Sequence, residues 1–213
     1  MISNPLFERT RMNRPKLVVT KELKELIDGA KELNEIGKIL TTDLKCVIDI
    51  SDAKIKQYKD SPESRFLNEQ ETWIRLSIRL LITTIEAVCF KLKQFALIGH
   101  KMRGKPLDAK DIMKLTEKRE DGSPYFIPTD DNLKCAFKMA AAAVDSTYKI
   151  EFGKEWGIFQ NVLKRRRGLT HPKNINDLAV SIRDHNDAAD TGIWFSKILK
   201  ELKDSVPPIV TGL

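Results

Sequence analysis

The stretch from residue 64 to about residue 98 would be apolar on most of its circumference if it formed an α-helix. Its apolar side chains recur at helical spacing, at Leu76, Leu80, Leu81, Ile85, Val88, Leu92 and Phe95. Only one stripe is polar, and it contains Arg75, Arg79, Glu86 and Lys93. A helix with so wide an apolar surface must be covered by other elements, so the stretch predicts the central helix of a bundle. Its charges exclude an ordinary membrane-spanning helix.

Five other stretches show helical spacing of their apolar residues, and hairpin signals are lacking outside residues 44–50. Helices are predicted over residues 20–40, 109–118, 131–148, 155–170 and 176–203. The 44–50 stretch alternates like a strand, but no partner strand is evident in the sequence, so a helical continuation is favoured. The fold class is therefore predicted to be all-α, an antiparallel bundle of four to five core helices.

The bundle is predicted to occupy residues 61–204 and to carry additional segments. Residues 17–60 form an N-terminal helical extension, and residues 99–131, rich in glycine and proline, form an insertion between two helical hairpins. Residues 1–16 are a basic arm without an apolar face, and residues 205–213 are a short tail.

Positions on these helices predict the environment of individual side chains. In the last helix, the residues expected to face the core are Leu178, Ile182, Ala189, Ile193, Trp194 and Ile198. His185 falls in phase with them and is expected to be half-buried, whereas His100 is expected in a loop without a partner. In the polar stripe, Arg79 is expected to face water or to pair with Glu86 two turns on. The alternative is that Glu86 contacts a basic site elsewhere in the bundle.

The composition favours an anionic partner. The 213 residues are 41% hydrophobic and carry a net charge of +7, which suits a nucleic acid.

Cys46, Cys89 and Cys135 are widely spaced and form no C-x-x-C pair, so reduced thiols and no metal site are expected. No apolar leader segment is evident, and a cytoplasmic location is predicted.

The segment with the clearest chemistry is 164–172, Lys-Arg-Arg-Arg-Gly-Leu-Thr-His-Pro, at the end of a predicted helix. Arginine binds phosphate through paired N–H groups, and histidine exchanges protons near neutral pH. RNA cleavage without a metal needs both functions, a base for the 2′-hydroxyl and a cation for the phosphorane. Because Pro172 disfavours helical backbone at His171, the helix is predicted to end just before the histidine.

The position of the catalytic arginine within this segment is open. Arg167 lies four residues before His171 and shares its helical face, whereas Arg166 lies on a different face from His171. Once the helix has ended, either Arg165 or Arg166 could approach the same phosphate as His171. The simpler interpretation is that basic residues in a last helical turn are solvated, and that the histidine bonds a loose carbonyl.

This segment resembles the R-x4–6-H motif of the HEPN superfamily, whose members are compact helical bundles and often ribonucleases. Arg166 to His171 gives R-x4-H, and Arg165 to His171 gives R-x5-H. The polar turn after His171, the long last helix and the upstream helix around Glu86 are also similar to those of the family. The resemblance covers about residues 61–204.

The resemblance implies a metal-independent endoribonuclease of toxin–antitoxin or phage-defence systems that uses no cofactor. Arg166 and His171 are then the candidate catalytic residues. The second-tier candidates are Arg165, Arg167, Glu86 and Thr170, and the candidate RNA contacts are Lys164 and Lys173. Since each chain supplies one motif histidine, acid and base would come from two chains. A homodimer is therefore implied, with an antitoxin or inhibitor protein as a further partner.

Two positions depart from the family pattern. Members often have Asn, Asp or His directly after the motif arginine, where this chain has Arg167. A subset of toxins paired with small nucleotidyltransferase antitoxins has a modified tyrosine two residues after the histidine, where this chain has Lys173. Regulation through that tyrosine is therefore not expected here.

A different class of function would use the same residues. A non-catalytic helical module could bind RNA, a nucleotide or a protein partner through the basic patch. Catalysis requires Arg166 and His171 to converge in a shared cleft, whereas binding tolerates them apart on an open surface.

Overall fold

The computed structural model describes residues 21–104 and 106–206, which form helices joined by turns and loops. The helices are α1 (Lys21–Asp60), α2 (Ser64–Met102), α3 (Ala109–Thr116), α4 (Thr129–Ala143), α5 (Lys154–Thr170) and α6 (Ile182–Asp204), with a 3-10 turn at Ile175–Leu178. The prediction of an all-α helical bundle is confirmed. The basic arm 1–16 and residues 207–213 of the tail lie outside the described residues. In the described part, no helix combines the length and apolarity that crossing a membrane requires.

The central helix of the bundle is α2, because it contacts each of the other five helices. Its covered side includes Ile74, Ile78, Ile82 and Ile85, all of them shielded from solvent. Leu76, predicted to be buried, is instead 40% exposed. Because Leu76 lies two residues from both Ile74 and Ile78, roughly 200° round the helix, the rotation that buries the isoleucines turns Leu76 outward.

Helix α1 runs without interruption through residues 44–50, so that stretch is helical and the predicted end near residue 40 is wrong. Leu44, Ser51 and Ile55 recur at helical spacing on the side of α1 that packs on the bundle. His185 of α6 also binds this helix, with Nδ1 3.2 Å from Ser51 Oγ and Nε2 2.8 Å from Asp52 Oδ1. The histidine is buried, and it joins α1 to α6.

The insertion packs against α2 and α4. Ala96, Leu115, Met139 and Ala143 form a small second apolar cluster there. Helix α2 continues to Met102, so His100 is a buried helical residue and the predicted loop is wrong at this position. A Cβ at Gly99 would lie 2.8 Å from the Cβ of Ala143, which shows how closely α2 and α4 approach.

The expected polar stripe of α2 is wrong for Lys93, whose side chain is fully buried. Its ammonium group forms an ion pair with Glu117, which follows α3 and has a left-handed φ of 54°. The residue that follows α3 therefore supplies the counter-charge of the buried ammonium group. Spacing within α2 alone cannot reveal a partner that a separate segment brings.

Replacing Glu117 with alanine should lower the free energy of unfolding by on the order of 3 kcal/mol, because the buried ammonium group would lose its counter-charge. Urea denaturation measures this change. The matched control is the double variant Lys93→Met with Glu117→Ala, which removes both charges and should recover most of the loss. Wild-type stability in the single variant would contradict a buried ion pair.

The last helix begins later than predicted. The 3-10 turn comes first, and α6 starts at Ile182, where Ser181 and Asp184 form a reciprocal capping box. Ile193 is 70% exposed and Ile182 is also exposed, so the expected burial of these two side chains is wrong. The predicted burial of Trp194 and Ile198 is confirmed, and Thr191, Phe195 and Leu202 complete the buried side of α6 at helical spacing.

Candidate functional site

The basic segment 164–172 occupies the end of α5 and the two residues after it. The inner face of this helix is anchored in the core by Phe159, Val162, Leu163 and Leu169. The helix ends at Thr170, as Pro172 predicts, and His171 leaves it with φ −130° and ψ 64°. The N–H of His171 still donates to the carbonyl of Arg167 over 3.1 Å. The segment is thus the C-terminal end of a firmly packed helix.

Arg166 contacts α2. Its Nη2 is 3.4 Å from Oε2 of Glu86, and the other carboxylate oxygen of Glu86 accepts a 2.9 Å hydrogen bond from Thr129 Oγ1. The side chains of Arg166 and Glu86 are both about one-third exposed. Glu86 therefore contacts the basic segment, which was the alternative prediction for this residue. The expected pairing of Glu86 with Arg79 is wrong.

Arg165 contacts a different helix from the one that Arg166 contacts, namely the start of α6. Its Nε donates to Asp184 Oδ1 over 2.8 Å, and its Nη1 donates to the carbonyl of Ala179 over 3.2 Å. Successive helical residues point about 100° apart, so Arg165 and Arg166 reach different helices. Because Asp184 also holds Ser181 in the capping box, Arg165 ties α5 to the start of α6. Arg165 and Arg166 are thus both paired with carboxylates, on different neighbouring helices.

His171 and Arg167 are exposed, and neither side chain has a hydrogen-bond or ion-pair partner among the residues that the structure describes. Thr170 donates to the carbonyl of Arg166 over 2.9 Å and so closes its own helical turn. Lys164 and Lys173 are exposed as well, and the backbone N–H of Lys173 donates to Asp177 Oδ2 over 2.7 Å. The imidazole of His171 is therefore accessible to a ligand.

A groove of about 520 Å³ runs beside α5 on the Arg165 side. Its charged lining residues are Lys164, Arg165, Arg183, Asp177, Asp184 and Asp187. Three cations and three carboxylates face it, so its charge is balanced. Arg166 and His171 do not line this groove, which therefore does not bring the two candidate catalytic residues together.

Two arginines of α2 that the sequence interpretation leaves out of the site donate to main-chain carbonyls, one in the last turn of α5 and one in the 3-10 turn that follows it. Arg79 Nη2 donates to the carbonyl of Leu169 over 2.6 Å, two residues before His171. Arg75 Nη1 donates to the carbonyl of Leu178 over 3.1 Å and is 3.2 Å from a carboxylate oxygen of Glu71. Their signal in the sequence is the narrow polar stripe on an otherwise apolar helix, since a polar group there needs a nearby partner.

Other candidate chemistry in the described residues is limited. His185, Ser51 and Asp52 contain the residue types of a serine-nucleophile site, but Ser51 is fully buried and cannot meet a substrate. Across residues 21–104 and 106–206, no group of three His, Cys, Asp or Glu side chains is placed to hold a metal ion.

In comparisons with known proteins, no family model, no curated protein and no solved structure matches the chain.

Proposed function

We propose that the protein is a metal-independent endoribonuclease of the HEPN type that acts in toxin–antitoxin or phage-defence systems. The observation that carries the proposal is the end of α5, where an exposed histidine follows an arginine that Glu86 holds. The family and the defence setting rest on the R-x4-H pattern of Arg166 and His171.

The proposed reaction needs no group beyond the protein and the RNA. One His171 imidazole takes the proton of a ribose 2′-hydroxyl, whose oxygen attacks the adjacent phosphorus. The bond from phosphorus to the 5′-oxygen of the next nucleotide breaks, and an imidazolium gives that oxygen a proton. The products are a 2′,3′-cyclic phosphate and a 5′-hydroxyl end. The Arg166 guanidinium stabilises the negative charge of the phosphorane.

The contact with Glu86 supports this role for Arg166. A guanidinium carries five N–H donors, and the contact with Glu86 uses Nη2. Because Thr129 holds Glu86 from the other side, Arg166 is positioned before RNA binds, and little side-chain freedom remains to be lost. Its partial exposure leaves the other donors within reach of a phosphate.

A homodimer follows from the same chemistry. Each motif supplies one histidine, whereas the reaction uses a base and an acid, so two chains would face one another with paired motifs. Ile175, four residues after His171, is 77% exposed and offers this surface an apolar side chain that a partner chain could cover. An antitoxin or inhibitor protein could cover the same surface.

A non-catalytic RNA-binding module is the second candidate, and the position of His171 outside the groove beside α5 favours it. Arg165 and Arg166 are both paired with carboxylates, and His171 lies outside the groove beside α5. Such a surface could hold an RNA backbone without cleaving it. The net charge of +7 suits either function.

Purified protein should cleave single-stranded RNA in the presence of excess EDTA and leave cyclic-phosphate and 5′-hydroxyl ends. Gel electrophoresis with mass spectrometry of the fragments measures both results. An RNA with every 2′-hydroxyl methylated is the control, and it should stay intact because its nucleophile is blocked. Cleavage that EDTA stops would contradict the metal-independent mechanism, and binding without cleavage would favour the module.

A further inference from the structure

Arg79 has a distinctive position for a charged residue of the central helix. Its Nη2 donates to the main-chain carbonyl of Leu169, near the C-terminal end of α5. That carbonyl lies two residues before His171, and Arg79 itself is exposed. The guanidinium therefore stands at the end of the motif helix, in contact with solvent.

Arg79 and the exposed Arg167 differ in charge compensation from the other arginines around them. Three of these pair with a carboxylate, Arg75 with Glu71, Arg165 with Asp184 and Arg166 with Glu86. Arg79 has no carboxylate partner in the described part of the chain, and its hydrogen bond goes to an uncharged carbonyl. At the end of α5 its positive charge is therefore offset only by the partial negative charge of the helix C-terminus, which leaves a net positive charge that attracts an anion.

We propose that Arg79 is a phosphate-binding residue of the RNA site at the end of α5. The inference rests on the ribonuclease function proposed above and adds to it a binding residue from a second helix. The bond to Leu169 aims the guanidinium and uses one of its five N–H donors, so the others are open to phosphodiester oxygens. The ligand is a backbone phosphate of the strand on which His171 acts.

A purely structural role for Arg79 would have different consequences. The last carbonyls of a helix lack intrahelical partners, and an arginine that bonds one of them can stabilise the helix end. Arg75 is the matched control, because it also donates to a main-chain carbonyl of this region but is already paired with Glu71. Replacing either arginine removes one positive charge and one bond to a carbonyl.

The experiment compares Arg79→Gln, Arg79→Lys and Arg75→Gln in the full chain, using a single-stranded RNA whose 2′-hydroxyls are all methylated. Affinity is titrated at several salt concentrations, and thermal unfolding is recorded for each variant. Arg79→Gln should weaken binding about tenfold and reduce the slope of log affinity against log salt by about 0.7, as expected for one phosphate contact. Arg79→Lys should keep most of the slope, and Arg75→Gln should change neither quantity.

Equal small losses of affinity for Arg79→Gln and Arg75→Gln, with equal drops in Tm, would overturn the inference and leave Arg79 as a helix cap. Cleavage of unmodified RNA by the wild-type protein is measured in parallel. If the wild-type protein cleaves RNA but the RNA affinity does not depend on Arg79, the phosphate contact is rejected and the ribonuclease function stands. Binding that depends on Arg79 without any cleavage keeps the phosphate contact and rejects the ribonuclease. A wild-type protein that binds no RNA rejects both.

Discussion

Replacing His171 with alanine should abolish RNA cleavage while leaving RNA affinity and thermal stability nearly unchanged. The side chain is exposed, and its ring bonds no residue that the structure describes, so its removal disturbs no packing. A general acid or base contributes about 10²–10⁴-fold to a rate. Because copies of the same residue would serve as base and acid, both contributions are lost and the rate should fall below detection. Single-turnover cleavage and binding titrations measure the two effects separately.

Lys173→Ala is the matched control, because Lys173 is exposed and lies two residues after His171. This variant should weaken RNA binding and leave the cleavage rate of bound RNA unchanged. Adding excess His171→Ala protein to the wild type tests the shared site, since mixed dimers hold a single copy of His171 and the activity should fall. Undiminished activity in the mixture would contradict a site built from two chains. Full activity of His171→Ala alone would remove the histidine from the mechanism.

The helices of this chain could be predicted from residue spacing, because amphipathicity is a property of each helix by itself. Which neighbour covers a given side chain is a property of the whole fold. The predictions of burial therefore fail in two ways: a residue predicted to be exposed is buried, and a residue predicted to be buried is exposed. Lys93 is buried because Glu117 is brought to it by the end of α3. Ile193 is exposed because the rotation of α6 that buries Trp194 and Phe195 turns it outward. The predicted start of the last helix near residue 176 is also wrong, because the capping box at Ser181 begins α6 later, although Leu178 is in phase with its apolar residues.

The candidate site shows the same division between local and global information. The arginines, the histidine and the helix end before Pro172 are readable from one short segment. The register between Arg165 and Arg166 is not, since both spacings fit the motif and only the packing of α5 shows that Arg165 meets Asp184 while Arg166 meets Glu86. Thr129, which holds Glu86, carries no signal in the sequence that separates it from any other helix-initiating threonine.

Replacing Arg166 with alanine should lower the cleavage rate by about two to three orders of magnitude, the usual cost of losing one group that stabilises transition-state charge. Arg166→Lys should recover little of that rate, because a point charge cannot reproduce the paired N–H groups of a guanidinium. RNA affinity should change less than the rate, since Glu86 already balances the charge of Arg166 in the unbound protein. Single-turnover rates at saturating protein concentration measure the effect without interference from binding.

Arg165→Ala is the matched control for this prediction, because Arg165 is the adjacent residue, carries the same charge and is also paired with a carboxylate. The Arg165–Asp184 contact is partly exposed, so its loss should cost no more than about 1 kcal/mol of stability. Together with Lys164→Ala it should reduce RNA affinity and the salt dependence of binding while sparing the rate. Equal losses of affinity alone for Arg165→Ala and Arg166→Ala would identify a basic binding surface, and the non-catalytic module would replace the ribonuclease. A large loss of rate confined to Arg165→Ala would instead assign the motif to the R-x5-H register.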